Sequence, residues 1–302
     1  MLDGVAVRTP VVRLDVGADA EIYLKLETLQ PVNSFKIRGA GNAILQASDD
    51  ELAAGVVTAS AGNMAQGVAW AARLRGVPAT IVVPEGAPHT KLAAIERLGG
   101  RVVPVSYDEW WDVLVAGSYD GAHGLFVHPF ADERVMAGNG TIGLELLEDL
   151  PDLDAVVVPY GGGGLVTGIA SVIKTLRPQA QVFVVEPETA APVNATLAAG
   201  ALTAVAYRSS FVDGAGGREL VPHVWEQAAP LVDGAFVASL EQTAASIRLI
   251  ADRARVIAEG AGALGLAPAL SGAAGAGKVV CVVSGGNIDT AVLTRILSGE
   301  TP

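Results

Sequence analysis

The chain has 302 residues, 51% of them hydrophobic, and carries a formal net charge of -12 from 20 Lys and Arg against 32 Asp and Glu. That length and apolar content support a globular protein of two modest domains, or one large one with an insertion, with a buried core. The acidic balance, without clustered Lys and Arg, argues against nucleic acid or an anionic membrane surface as the main partner.

Residues 1–4, Met1-Leu2-Asp3-Gly4, have neither a basic region nor an apolar core, so no secretion signal is expected. A strand is predicted at 22–26, and Lys36, in Asn33-Ser34-Phe35-Lys36-Ile37-Arg38-Gly39-Ala40, opens a helical pattern. Strand 56–59 runs into Ser60-Ala61-Gly62-Asn63 and helix 63–75. Strand 80–83, helix 90–98, strands 101–105 and 125–128 and helix 141–150 follow. Strand 155–159 leads through Gly161-Gly162-Gly163-Gly164 into helix 165–176. Strand 182–185 comes next, residues 207–234 carry turn signals without clear periodicity, and helix 241–258 precedes an Ala- and Gly-rich stretch at 260–277 that reads as tight helix packing plus a loop. The last strand, 279–283, contains the single cysteine, Cys281, and ends at Ser284-Gly285-Gly286-Asn287. One cysteine in an apolar run forms no internal disulfide and fits a core position in a reducing cytoplasm. Residues 155–173 are uncharged and long enough to raise the question of a membrane span, but Pro159 and the glycines divide them into strand, loop and helix. The alternation of β-rich runs with helical stretches predicts an α/β protein built on open, parallel-rich sheets flanked by helices.

Three polar turns stand where an apolar run ends and a helix is expected to start. Backbone N–H groups at a helix start attract an anion, and glycine lets the chain close around a phosphate without Cβ clashes. The 161–164 turn, at the carboxyl end of an all-apolar strand, is therefore read as a phosphate cradle. A dinucleotide site, with Glu186 meeting a ribose, fails on spacing. A G-x-G-x-x-G match would need glycine at Val166 or Thr167, and there is no Lys-Ser or Lys-Thr pair for a nucleotide P-loop. Ser60-Ala61-Gly62-Asn63 suits a carboxylate or phenolic oxygen, although helix capping by Ser60 or Asn63 explains it equally well. Lys36 alone reads as a core lysine that snorkels to solvent. Taken together, an amine, a phosphate cradle and two further polar turns supply what an aldehyde cofactor carrying a phosphate requires. His89, His123, His128 and His223 show no metal-ligand spacing and are read as surface or packing residues, and no G-x-S-x-G or H-E-x-x-H is found.

Ser34-Phe35-Lys36-Ile37-Arg38-Gly39-Ala40, Ser60-Ala61-Gly62-Asn63, Gly161-Gly162-Gly163-Gly164-Leu165 and Ser284-Gly285-Gly286-Asn287 together resemble the fold type II pyridoxal-phosphate enzymes, in particular the threonine/serine dehydratase and serine racemase group. So do Pro78-Ala79-Thr80-Ile81-Val82-Val83-Pro84, His128-Pro129-Phe130, Gly140-Thr141-Ile142-Gly143-Leu144-Glu145 and Val185-Glu186-Pro187, and the likeness runs from about Thr9 to Ile296. The resemblance implies a tryptophan synthase β-like fold, with a large domain from residues 1–46 and 134–302 and a small domain from 47–133. It implies pyridoxal 5'-phosphate on Lys36 as a Schiff base, Asn63 at the ring oxygen, the phosphate at Gly161, Gly162, Gly163, Gly164 and Leu165, and Ser284 at the pyridine nitrogen. The substrate site would comprise Ser60, Ala61, Gly62, Asn63, Met64 and Gln66, with Ser60, Asn63 and Gln66 receiving the carboxylate of an amino acid.

The implied activity is β-elimination of ammonia from L-threonine or L-serine. Ala61 stands where serine racemases carry a serine that acts on the opposite face of Cα, which favours elimination over racemisation or β-replacement. Met64 replaces a common histidine and is expected to alter the pocket wall toward a bulkier 3-hydroxy amino acid; Val32-Asn33 replaces the usual Thr-Gly. A non-catalytic sensor that keeps the phosphate site is the reading from another class. A homodimer is usual for the resemblance, no C-terminal regulatory domain is expected, and Asp213 lies where relatives carry a metal, without a full ligand set.

Overall fold

The computed structural model describes residue 2 and residues 4–302; Met1 and Asp3, part of the N-terminal segment read for a leader, lie outside it. In chain order the elements are β1 (Val11–Leu14), β2 (Glu21–Leu26), α1 (Lys36–Gln46), α2 (Asp49–Leu52), β3 (Val56–Ala59), α3 (Asn63–Arg75), β4 (Ala79–Pro84), α4 (His89–Arg97), β5 (Gly100–Val105), α5 (Tyr107–Ala116) and β6 (Leu125–Phe126). There follow α6 (Glu133–Asp149), β7 (Ala155–Pro159), α7 (Gly164–Leu176), β8 (Gln181–Pro187), α8 (Pro192–Ala199), α9 (Pro222–Ala228), β9 (Gly234–Ala238), α10 (Leu240–Ala254), α11 (Gly260–Ala263), α12 (Leu266–Leu270), β10 (Lys278–Val283) and α13 (Thr290–Leu297). The fold is α/β with two parallel-rich sheets flanked by helices, as the alternation of β-rich and helical stretches predicts.

The chain divides into two compact units, one of Met1–Val7 and Gln30–Asn139, the other of Arg8–Leu29 and Gly140–Pro302. The first contains the four-stranded sheet β5-β4-β3-β6, parallel throughout. Its strands are short and almost wholly apolar, as expected for strands covered on both faces, and β3 is buried along its whole length. Ile37, Ala40, Ile44, Ala65, Val68, Ala72, Ile81 and Ile95 form its main core. Helix α1, expected with the large domain, packs here against α3.

The second unit contains the six-stranded sheet β1-β2-β10-β7-β8-β9. All neighbours pair in parallel except β1, which runs antiparallel along β2 from Val11↔Lys25 to Leu14↔Ile22. The residues of β7 are fully buried, and the core continues through Leu24, Val157, Val185, Ile247, Ile250, Leu264 and Val279. Lys25, with no exposed surface, is held in β2 by the Thr9 carbonyl at 2.7 Å and the Glu145 carboxylate; removing either partner of such a buried pair would leave a charge uncompensated. Residues 155–173, the stretch long enough to suggest a membrane span, divide into β7, the glycine turn and part of α7, and among the described residues no helix is long and apolar enough to cross a membrane.

Helix starts differ in how they are capped. Ser48 and Ser239 close reciprocal capping boxes on α2 and α10, Ser106 caps α5, and Asp289 caps α13. Helices α1, α3, α4, α7, α8, α9, α11 and α12 begin with no side-chain cap from the N-cap residue.

Candidate active site

In the first unit, Lys36 is the first residue of α1. Its side chain is half-buried, with Nζ donating to the Pro129 carbonyl at 2.6 Å and lying 5.2 Å from the centre of the Phe35 ring. The amine is anchored inward rather than extended to solvent, which is the alternative a lone lysine suggests. The acceptor comes from the loop between β6 and α6. His128 Nδ1 accepts the N–H groups of Phe130 at 3.3 Å and Ala131 at 2.9 Å, and its ring meets that of Phe130 edge-on at 4.6 Å. His128, expected as a surface or packing residue, closes a turn.

Gly67, inside α3, brings the 60–66 segment to the lysine. A Cβ at this position would stand 3.1 Å from the Lys36 carbonyl carbon and oxygen and 3.2 Å from Ile37 N, so glycine lets α3 run against the backbone of α1. No motif points to Gly67. The available signal is a mid-helix glycine, which costs about 1 kcal/mol against alanine and therefore needs a packing reason.

The Ser60 to Asn63 turn leaves β3 at its carboxyl end. Ser60 Oγ accepts the Gly62 N–H at 3.2 Å, and Gly62 itself is the uncapped N-cap of α3, so neither Ser60 nor Asn63 serves as the helix cap. Ser60, Ala61, Gly62 and Asn63 are partly exposed, whereas Met64 and Gln66 are buried in the first helical turn. Met64 is a member of the apolar cluster of this unit, so its size is used in packing.

In the second unit, Gly161 to Gly164 follow β7 after Tyr160, with Gly163 in the left-handed region at φ 92° as the N-cap of α7. A Cβ on Gly163 would come within 2.7 Å of Val224 Cγ1 and 2.8 Å of Tyr160 Oη, and one on Gly161 within 3.1 Å of the Gly214 carbonyl oxygen. The turn is thus packed too closely at Gly161 and Gly163 for a side chain, and it ends on the start of α7, where an anion is favoured. Leu165 is buried behind it. The 213–216 segment, unassignable from sequence, packs on this turn, and the Gly216 N–H donates to the Tyr160 carbonyl at 2.7 Å.

Ser284, buried at 3% exposure, stands at the carboxyl end of β10, the parallel neighbour of β7, so it and the glycine turn leave the same edge of the sheet. Ligands of open α/β sheets collect at such an edge. The expected helix start after Ser284-Gly285-Gly286-Asn287 is not there: α13 begins at Thr290 behind its Asp289 cap. Gly286 instead permits close packing, since a Cβ would meet Thr28 Oγ1 at 2.2 Å and the Ile257 carbonyl at 2.6 Å.

Glu186, the residue considered for a ribose, is fully buried in β8. Its carboxylate accepts the N–H groups of Val193 at 2.9 Å and Asn194 at 3.0 Å and the Asn194 side-chain amide at 2.8 Å, so it serves the start of α8. Burial raises its pKa above the ordinary value of 4.5 against the opposing pull of these hydrogen bonds. Burial also raises the pKa of the Tyr160 hydroxyl, helped by the Glu186 charge, and keeps the phenol protonated. Burial likewise pushes the Cys281 thiol up to about 12, which keeps it inert in the core.

The Glu186 shift has a sign that can be tested. As pH rises from 4.5 toward the native pKa, the native protein still holds a proton at Glu186 that the unfolded chain has released. Stability attributable to this group is therefore lost with rising pH through that window. Urea unfolding of the wild type and Glu186→Gln is expected to show the wild type losing stability relative to the variant as pH increases from 4.5. A difference independent of pH would contradict the assignment.

The chain matches the family model described as "Pyridoxal-phosphate dependent enzyme" over residues 3–285. It is 43% identical over 281 residues to the L-threonine ammonia-lyase of Thermotoga maritima, an alignment covering 92% of this chain and 70% of that one. It is 35% identical over 308 residues to the serine racemase of Oryza sativa subsp. indica, covering 96% and 88% respectively. Among solved structures, the processed form of threonine deaminase isoform 2 from Solanum lycopersicum superposes with a TM-score of 0.91 at 33% identity, covering 99% of this chain and 90% of that one.

Proposed function

Because this chain belongs to the pyridoxal-phosphate dependent enzymes, we propose that it is a lyase that deaminates L-threonine or L-serine to the 2-oxo acid and ammonia. The observation that carries the reading is the Lys36 amine held by the Pro129 carbonyl at the start of α1, a helix whose backbone packs closely on Gly67 of α3. The glycine turn suits the cofactor's phosphate, because it carries no side chains and runs from the carboxyl end of β7 into the start of α7.

When bound, pyridoxal phosphate supplies an aldehyde that condenses with an amine and a ring that draws electrons from Cα. Lys36 Nζ is the amine to hold it and, when uncharged, the base to accept the Cα proton. Gly161, Gly162, Gly163, Gly164 and Leu165 bind the phosphate through backbone N–H groups at the start of α7. Asn63 would hold the ring oxygen, and the neutral hydroxyl of Ser284 would face the pyridine nitrogen without imposing a full charge there. Ser60, Asn63 and Gln66 orient the substrate carboxylate at the start of α3, where the helix dipole favours an anion.

Loss of the Cα proton and the β-hydroxyl leaves an enamine, and water converts it to the 2-oxo acid and ammonia. Ala61 offers only a methyl group, so the 60–63 turn lacks at this position a hydroxyl that could protonate Cα from the opposite face. That favours elimination over the activity named for the serine racemase relative. The buried Met64 supports threonine or serine rather than a bulkier substrate. A homodimer in the cytoplasm completes the proposal, in keeping with the single buried cysteine.

The test is incubation of the cofactor-loaded protein with L-threonine and L-serine, followed for 2-oxo acid and for the chirality of the remaining serine. The expected result is 2-oxobutanoate from threonine and pyruvate from serine in excess of D-serine. D-serine as the main product, or no 2-oxo acid from either substrate, would overturn the reading.

A further inference from the structure

We propose that His128 is a positioning residue for the Lys36 amine, acting through the carbonyl of Pro129; this rests on the proposed function, in which Lys36 is the reacting amine. The 127–132 segment is fixed almost group by group. Val127 N donates to the Val57 carbonyl at 2.8 Å, and the Val127 carbonyl accepts the buried Thr58 hydroxyl at 2.8 Å. At the far end, the Asp132 carboxylate accepts Arg134 N at 2.7 Å and its carbonyl accepts Met136 N at 2.9 Å, which starts α6.

Between these anchors the His128 imidazole receives the N–H groups two and three residues ahead, at Phe130 and Ala131. This is the pattern an Asn or Asp side chain makes in an Asx turn, here built with a ring nitrogen. Contact with the Phe130 ring fixes the imidazole plane. The turn directs the Pro129 carbonyl at Lys36 Nζ, 2.6 Å away. Proline at 129 has no N–H of its own and a fixed φ, which further limits the directions that carbonyl can take.

Accepting through Nδ1 requires the neutral ring to carry its proton on Nε2. Replacing the ring with a methyl group removes the acceptor for two N–H groups and frees the carbonyl to rotate. The Lys36 amine would then lose a fixed partner, and misplacement of a reacting group by about 1 Å costs on the order of 100-fold in rate. Asparagine at 128 can supply an oxygen to the same two N–H groups.

The experiment compares wild type, His128→Ala and His128→Asn, each loaded with pyridoxal phosphate, by three readouts. These are amide hydrogen exchange at Phe130 and Ala131, the pH midpoint of the lysine-linked cofactor absorption band, and kcat and KM for L-threonine. The expected result for His128→Ala is faster exchange at both amides, a displaced band midpoint and a kcat lower by about 10- to 100-fold with KM little changed. His128→Asn should restore most of each. A His128→Ala variant with faster exchange but an unchanged band and kcat would overturn the inference, as would an asparagine variant no better than alanine on all three readouts. A wild-type protein that forms no lysine-linked band overturns the proposed function itself, an outcome distinct from either of these.

Discussion

Lys36→Ala is expected to lower 2-oxo acid release from L-threonine by at least about a thousandfold, the scale seen when the group that forms a covalent bond to the reacting partner is removed. The side chain is half-buried and its amine is held by a main-chain carbonyl, so its loss should leave thermal unfolding nearly unchanged while removing the borohydride-sensitive absorption of the bound cofactor. A variant that keeps both absorption and activity would show that another amine performs the chemistry. One that unfolds would show a structural role, which the position of the amine at the start of α1 does not suggest.

Gly163→Ala is expected to weaken pyridoxal phosphate binding at least about tenfold and to destabilise the protein by about 1–3 kcal/mol. Two effects combine. Alanine is strained at φ 92°, and its methyl group would meet Tyr160 Oη and Val224 Cγ1 at under 3 Å. Tyr160 and Val224 are both buried, so the glycine turn rather than its neighbours must shift, and the N–H groups at the start of α7 shift with it. Gly200→Ala is the control: Gly200 also has positive φ, at 68°, but no atom stands within 4 Å of the added methyl. It should show the strain in a denaturation curve without altering cofactor affinity. Titration with pyridoxal beside pyridoxal phosphate isolates the phosphate contribution, since only the phosphorylated form should discriminate Gly163→Ala from the wild type.

Much of the fold was legible because buried parallel strands are uniformly apolar. The expected 56–59 and 155–159 strands and the 63–75 helix coincide with β3, β7 and α3, and most other elements differ at their ends by one or two residues. The predicted 125–128 strand ends two residues early, at Phe126. Edges were harder to read. Both β1 and β9 are outer strands of the six-stranded sheet with incomplete burial, so their alternation is weak. Helix α6 starts at Glu133, well before the expected 141. Gly138 and Gly140 make that first half read as a break, yet they serve contact: a Cβ on Gly138 would meet the Arg38 carbonyl at 2.3 Å, and one on Gly140 the Gly168 carbonyl at 3.1 Å.

At the candidate site the split is similar. The glycine run declares itself by residue type and by its place after a strand, and Lys36 only in company with the other motifs. His128 and Pro129 belong to a stretch that resembles the family, but their roles, like those of Gly67 and Tyr160, do not show in the sequence, because they depend on partners distant in the chain, as with Pro129 and Lys36. Glu186 was the reverse case, a carboxylate whose place at a strand end resembles a ligand contact but whose oxygens are taken by the start of α8. The helix expected directly after Ser284 was a related error, since a polar glycine turn can allow backbones to approach as readily as it can open a helix.

The place of β10 in its sheet carries a consequence for biosynthesis. It lies third in the order β1-β2-β10-β7-β8-β9, with Lys278 paired to Glu21, so this central strand is translated after every other strand of its sheet. Until then β2 and β7 have no strand to join them, while the four-stranded sheet of the other unit already has all its strands. Closing so long a loop is slow and leaves unpaired edges exposed meanwhile. Nascent chains stalled before residue 278 should therefore be more prone to capture by chaperones than chains released after β10 has emerged.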